Sequence, residues 1–332
     1  MKKLFAFLLC LTLACSALMM VACDNQQPEE GEKQKVVIAV PDGAPALAIY
    51  QLMKEVTELD GHPVEYKILA GAANIGTSIV SGEADVAVMP TNVAAKLYNN
   101  NTDVKLLSVN IFGVLYMVGK TKLTNGVNDL LGKVVLNIGR GGSPDITLKL
   151  ILDKNKIPYE ESETAIEGKV ALRYVTDASE VIALLKTDKA DYGVMGEPAV
   201  SNAVKAIPAV NVLDLQQAWA GVIEEGSYTQ AGVVLSSKVY NDKGFVDALY
   251  AKLESNLSFI YDDVANVKQT LIDNGSNLKV DFNSGILDRC NLGNQKASEI
   301  KAKIETYFNA VKEYDATFIG GKLPDEGFYY VG

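Results

Sequence analysis

Four cysteines and a single histidine bound the chemistry this chain can perform. Cys10 and Cys15 lie in an apolar leader, Cys23 follows a small residue at its end, and Cys290 alone lies in the body of the chain. One thiol makes neither an internal disulfide nor a thiolate zinc site, so Cys290 is expected to be buried and idle. His62 stands in Asp60-Gly61-His62-Pro63, which reads as a solvated turn between a helix and a strand. Ser-His-Asp and Cys-His catalysis therefore lack a base unless His62 itself serves, and multi-histidine metal sites are excluded. Neither a catalytic residue nor a metal ligand is expected, and no cofactor. What remains is recognition.

Five loops carry residue types suited to it: Asp42-Gly43-Ala44-Pro45, Gly71-Ala72-Ala73-Asn74, Pro90-Thr91-Asn92, Gly139-Arg140-Gly141-Gly142-Ser143-Pro144-Asp145 and Gly196-Glu197-Pro198. A glycine-rich loop before a helix can cradle an anion with backbone amides, which makes Gly141, Gly142 and Ser143 candidate ligand contacts. The same residues suit a tight turn with Ser143 as N-cap and Pro144 at the first helical position. The Lys-Ser/Thr ending of a nucleotide-hydrolysing P-loop is missing. Thr91 and Asn92 are placed either to cap a helix or to touch a ligand, and Asn74, Ala44 and Pro45 hold similar positions. Asp42 and Glu197 are the sharper candidates. A carboxylate in a cleft costs desolvation unless it is paired or hydrogen-bonded, and a ligand amine would satisfy it. The alternative is a bond within its own loop or an ion pair with Arg140. Trp219 and Tyr116 either stack on a planar ligand or fill a lobe.

The elements that must position these loops alternate apolar β-branched runs with helical periodicity, the pattern of an α/β fold with largely parallel sheets. Strands are expected at 36–40, 64–69, 84–89, 104–109 and 113–119, with helices from Asp42 to Glu55, Ala72 to Ser81 and Thr91 to Tyr98. The syllables then return. Lys133-Val134-Val135-Leu136 echoes Lys35-Val36-Val37-Ile38, Val170-Ala171-Leu172-Arg173 echoes Val64-Glu65-Tyr66-Lys67, and Ala190-Asp191-Tyr192-Gly193-Val194-Met195 echoes Ala84-Asp85-Val86-Ala87-Val88-Met89. Repetition in the same order implies two similar lobes. Lobe one is expected at 35–119 and 226–332 and lobe two at 120–225, with hinges near 119–123 and 225–231. After the strand at 230–235 the chain reads as helical, with the stripe Ile300, Ile304, Tyr307, Phe308 and Val311 facing a core. In open α/β sheets ligands sit beyond the carboxyl ends of the strands, so the five loops are expected to converge on one gap, with Asp42 facing Glu197.

Residues 1–22 read as a secretory signal: Lys2 and Lys3, then an apolar run from Leu4 to Val21. Met20-Val21-Ala22-Cys23 resembles a bacterial lipobox, which makes Cys23 the lipidated first residue, with Met20 where leucine is usual. Residues 23–34 are polar and acidic, a flexible tether. Without residues 1–22 the net charge moves from −10 to −12, which argues against nucleic acid as a partner. No later apolar run approaches the ~20 residues of a membrane span.

Together the lipobox, the two similar lobes and the segments SGEADVAVMPTN, GRGGSPDITLKLIL and GVMGEPAVSNAV resemble the solute-binding proteins of ATP-driven importers. The resemblance is to the subgroup that includes nitrate, sulfonate and thiamine-pyrimidine-precursor binders, over nearly all of 35–320. It implies a type II clamshell with two hinge crossings, a ligand between the lobes, and permease and ATPase partners. A monomer, lipid-anchored outside the cytoplasm, is the expectation. The acids favour a nitrogen-bearing, pyrimidine-like or amine ligand; the alternatives are sulfonate- or nitrate-type anions, or a sensory lipoprotein. The fold also resembles pyrimidine-precursor synthases and chorismate-dehydrating enzymes; the synthases rely on histidine and a cysteine cluster, and this sequence has one histidine and no such cluster.

Overall fold

The computed structural model describes residues 33–69 and 74–332. The signal, Cys23, most of the tether and loop residues 71–73 lie outside the described residues. The body is built on two mixed sheets. The first runs β13-β5-β12-β4-β1-β3-β2, where β1 is Val36–Pro41, β2 Glu58–Leu59, β3 His62–Leu69, β4 Val86–Pro90, β5 Val104–Ile111, β12 Ala231–Ser236 and β13 Leu292–Lys296. The second runs β11-β6-β10-β7-β9-β8, where β6 is Leu115–Gly119, β7 Val134–Ile138, β8 Tyr159–Glu161, β9 Val170–Val175, β10 Tyr192–Gly196 and β11 Asn211–Asp214. Central strands buried on both faces read as continuous apolar runs rather than alternating ones, and β4 and β12 are such strands.

Strand for strand, β3-β1-β4-β12-β5 and β9-β7-β10-β6-β11 have one order and one set of directions. In each, three parallel strands are followed by an antiparallel one that arrives from the other half of the chain. The repeated aspartates do the same job in both. Asp85 Oδ2 accepts from Val37 N at 2.9 Å, and Asp191 Oδ2 accepts from Val134 N at 2.8 Å. This corrects the repeat by one residue. Ile38 pairs with Val86 and Val135 with Tyr192, so Val134 corresponds to Val37 rather than to Val36. Adjacent valines carry no register information, whereas a carboxylate that must find an N–H does.

The first crossing also moves. β6 pairs antiparallel with β10 from Leu115–Gly196 to Gly119–Tyr192, so residues 115–119 belong to the second lobe. The chain crosses at Phe112–Val114, where Gly113 has a φ of 108° and any Cβ would strike Gln216 and Tyr228. It returns between Ala220 and Ala231. Gln230 ties the two crossings together: its N–H donates to Ile111 O at 3.1 Å and its Oε1 accepts from Val114 N at 2.9 Å.

The helices that matter for the site are α1 (Ala44–Leu47), α2 (Tyr50–Glu55), α3 (Ile75–Val80), α4 (Thr91–Asn99), α5 (Ser143–Lys154), α6 (Ala178–Lys186), α7 (Ala199–Ala206) and α8 (Leu215–Ala220). The single helix expected from Asp42 to Glu55 is thus two. After β12 come α9 (Lys243–Asp262), α10 (Val267–Asp273), α11 (Ser284–Arg289) and α12 (Lys301–Asp315). α12 buries Ile304, Tyr307, Phe308 and Val311, the expected stripe. β13 interrupts this helical region by pairing with β5. Its sequence, Leu-Gly-Asn-Gln-Lys, has no β-branched residue to announce it. His62 is not in a solvated turn: it opens β3, lies 3.0 Å from Asp242 Oδ2 and packs edge-on against Phe245. Cys290 is fully buried, and burial pushes its thiol pKa up, away from reactivity. Among the described residues no helix is long and apolar enough to cross a membrane.

Candidate functional site

The carboxyl ends of the parallel strands in both sheets carry the candidate loops, and their side chains divide into satisfied and unsatisfied groups. Both acids are satisfied. Asp42, after β1, accepts from Ser276 Oγ at 2.6 Å and from Asn277 N at 2.8 Å, which anchors a loop of its own lobe. Glu197, after β10, has a fully buried carboxylate that takes Arg289 Nε, Ser201 N and Ser201 Oγ. Arg289 also donates from Nη2 to Ser201 Oγ at 2.7 Å. Arg140, offered as an alternative partner, is instead paired with Glu161 and lies over the Tyr174 ring at 4.2 Å. A buried carboxylate with a guanidinium and a hydroxyl on it has no call for a ligand amine. The expected preference for a nitrogen-bearing ligand loses its physical ground here.

Both aromatic candidates are also engaged. Trp219 is fully buried on α8, donates its indole N–H to Ser227 Oγ at 3.0 Å and packs between Tyr228 and Tyr307 at 5.0 and 5.5 Å. It plugs the lobe rather than offering a stacking face. Tyr116, buried on β6, donates its hydroxyl to Arg289 O at 2.8 Å. Thr91, fully buried, donates Oγ1 to Thr229 O at 2.6 Å and binds α4 to the return crossing. Asn74 is exposed before α3 and caps nothing; Ala44 is buried and Pro45 half-buried in α1.

Among the candidate residues, Ser143 and Asn92 each leave a buried atom without a partner, as do other described residues such as Asn137, Gln216 and Thr229. Ser143 is not the N-cap of α5: Gly142 holds that position and Ser143 is the first helical residue. Its hydroxyl is buried and unpaired. Asn92, in the first turn of α4 and 4% exposed, has an unpaired Oδ1 and a single long contact from Nδ2 to Phe318 O at 3.4 Å. Each sits at a helix N-terminus, where free N–H groups and the macrodipole favour negative charge. One belongs to each lobe.

The glycine loop between β7 and α5 is held by a residue inside the helix. Asp145 Oδ2 accepts from Gly141 N at 2.8 Å and from Lys149 Nζ at 3.1 Å, while Oδ1 takes the Tyr174 hydroxyl at 2.7 Å and Asn137 Nδ2 at 3.3 Å. Burial works against the Lys149 cation, yet Tyr174 and Asp145 hold its pKa above the ordinary lysine value. Asp145 takes the Gly141 N–H for itself, and the Ser143 hydroxyl beside it stays unpaired. A hollow of about 320 Å³ elsewhere, lined by Lys243, Tyr250, Glu254, Lys296 and Tyr330 among others, is lined by none of the candidate residues.

No family model matches the chain, and no curated protein matches it. Solved structures do. An ABC transporter structure from Parabacteroides distasonis is 22% identical, covering 90% of this chain and 99% of its own, with a TM-score of 0.74. The periplasmic aliphatic sulphonate binding protein SsuA from Escherichia coli is 14% identical over 90% and 98%, with a TM-score of 0.65. The alkanesulfonate-binding protein SsuA from Xanthomonas axonopodis pv. citri, bound to MOPS, is 13% identical over 90% and 97%, with a TM-score of 0.58. The chain has the type II periplasmic-binding-protein fold.

Arg289, Ser201 and Asp145 were absent from the sequence-based site. Arg289 had a usable signal. A buried carboxylate requires a cation, and Arg289 is one of only three arginines in the chain.

Proposed function

We propose that the chain is the extracytoplasmic solute-binding subunit of an ABC importer, and that it binds a small solute through an anionic, sulfonate-type head. The observation that carries this reading is the buried, unpartnered Ser143 Oγ in the first turn of α5, with Asn92 Oδ1 likewise unpartnered in the first turn of α4. An oxyanion accepts from the Ser143 hydroxyl and from free N–H groups of α5, while Asn92 Oδ1 accepts from a donor group of the same solute and Nδ2 stays on Phe318 O. The separate internal partners of Asp42 and of Glu197 weigh against a cationic ligand. The fold, and the sulfonates named for two of its neighbours, support the assignment. The signal pattern and Cys23 support export and a lipid tether to the membrane, with the permease and ATPase as partners. The solute is captured by the lobes rocking about two crossings tied through Gln230, a hinge closure that needs no covalent step.

Thermal unfolding in the presence of taurine, ethanesulfonate, nitrate and an aminopyrimidine tests this. Ligand at a thousand times its dissociation constant adds ~4 kcal/mol to the folded state. We expect stabilisation by a sulfonate, with Ser143→Ala and Asn92→Ala each weakening binding about ten-fold, the cost of one hydrogen bond to a charged group. Stabilisation by the aminopyrimidine alone overturns the proposal.

A further inference from the structure

The geometry points to Phe318 as the residue that limits how long a solute the cleft accepts, an inference that rests on the sulfonate-type reading above. Phe318 lies on the short 3₁₀ turn Ala316–Ile319 that follows α12. Its carbonyl is the one protein partner of Asn92 Nδ2 in the first lobe. Its ring faces Gly141 in the second, where an added Cβ would stand 3.6 Å from the ring edge. Phe318 therefore links the N-terminus of α4, through its carbonyl, to the loop that opens α5, which its ring faces. The unpartnered Asn92 Oδ1 and Ser143 Oγ belong to those same two segments.

The turn is held firmly. Asp315 accepts from Thr317 N at 2.8 Å and from Thr317 Oγ1 at 2.7 Å, Asn99 Nδ2 donates to Ile319 O at 2.6 Å, and Gly321 N returns to Ala316 O at 2.8 Å. Tyr314 stacks on the ring with 12° between the planes and 6.2 Å between centroids. A ring on a bonded turn and stacked on a neighbouring ring is a wall rather than a swinging door. A solute whose head binds Ser143 and Asn92 meets that wall with its tail. A Cβ at Gly141 would meet the ring at ordinary van der Waals distance, while its φ of 71° disfavours any side chain there.

The test is calorimetric titration of the wild-type chain, Phe318→Ala and Phe318→Leu with methane-, butane- and octanesulfonate. We expect wild-type affinity to drop about ten-fold or more from the shortest chain to the longest. Phe318→Ala should flatten that profile by strengthening octanesulfonate binding about ten-fold, with methanesulfonate changed less than about two-fold. Phe318→Leu should fall between and keeps the question answerable if the alanine variant folds poorly. The same chain-length profile in wild type and variants overturns this inference alone. No binding of any sulfonate to any of the three overturns the sulfonate reading and this inference with it.

Discussion

The two lobes share a strand order and a bolt, yet they finish the ends of their strands differently. Asp85 and Asp191 each lock the start of a central strand from the neighbouring one, at 2.9 and 2.8 Å. Beyond the strands the likeness stops. Asp42 in the first lobe is spent on Ser276 and Asn277 of that same lobe. Glu197 in the second lobe reaches Arg289, whose helix α11 packs with the first lobe's core. Tyr116 of the second lobe adds a bond to the carbonyl of the same arginine. The shared features build each sheet; the unshared ones set how the lobes meet.

The widest gap between the lobes is expected from Arg289→Ala. Removing the cation leaves the Glu197 carboxylate buried and uncompensated, which costs about 3 kcal/mol, the low end for such pairs because Arg289 is partly exposed. Urea unfolding measures it, and adding Glu197→Gln to the same chain should recover part of the loss. A cost no larger than that of Asp42→Asn would erase the contrast between the two acids. The bolts come next. Asp85 is buried and also pairs with Lys238 at 3.0 Å, whereas Asp191 is more exposed and its lysine is 3.8 Å away. Asp85→Ala should therefore cost about 2 kcal/mol and Asp191→Ala about 1 kcal/mol. Equal costs would mean that the lysines contribute nothing.

Smaller again is Asp42→Asn, expected to lose about 1 kcal/mol of stability and to change solute affinity less than about two-fold. A large affinity loss would return Asp42 to the ligand. The smallest effect concerns pH. Asp129 in the second lobe is held at about 2 by N–H bonds from Asn125 and Thr124. Its folded pKa lies below the unfolded one, so its contribution is complete above pH ~4 and lost as pH falls towards 2. Asp129→Asn should flatten the acid limb of a stability–pH curve in that window and leave neutral pH unchanged.

Much of the architecture was legible because buried parallel strands write themselves as apolar runs, and because Ala84-Asp85 and Ala190-Asp191 repeat a structural job. The register of the repeat was not legible, since Val36-Val37 and Val134-Val135 slide past each other without penalty until the aspartates are placed. β13 was invisible for want of any β-branched residue, and the first crossing was misplaced because β6 and β5 are both apolar strands. Within the site, the loops could be read from glycine and proline, but the state of their side chains could not. Glu197 and Arg289 are separated by 92 residues, and no local pattern joins them. Ser143 looked like an N-cap by type, whereas the backbone gives that position to Gly142 and leaves the hydroxyl unpaired.

Competition calorimetry with ethanesulfonate and an aminopyrimidine on the wild-type chain, Ser143→Ala and Glu197→Gln is the most direct test of what the gap recognises. The account predicts that ethanesulfonate binds, that Ser143→Ala weakens it about ten-fold, and that the aminopyrimidine does not displace it. Binding of the aminopyrimidine alone, lost in Glu197→Gln and retained in Ser143→Ala, would contradict it.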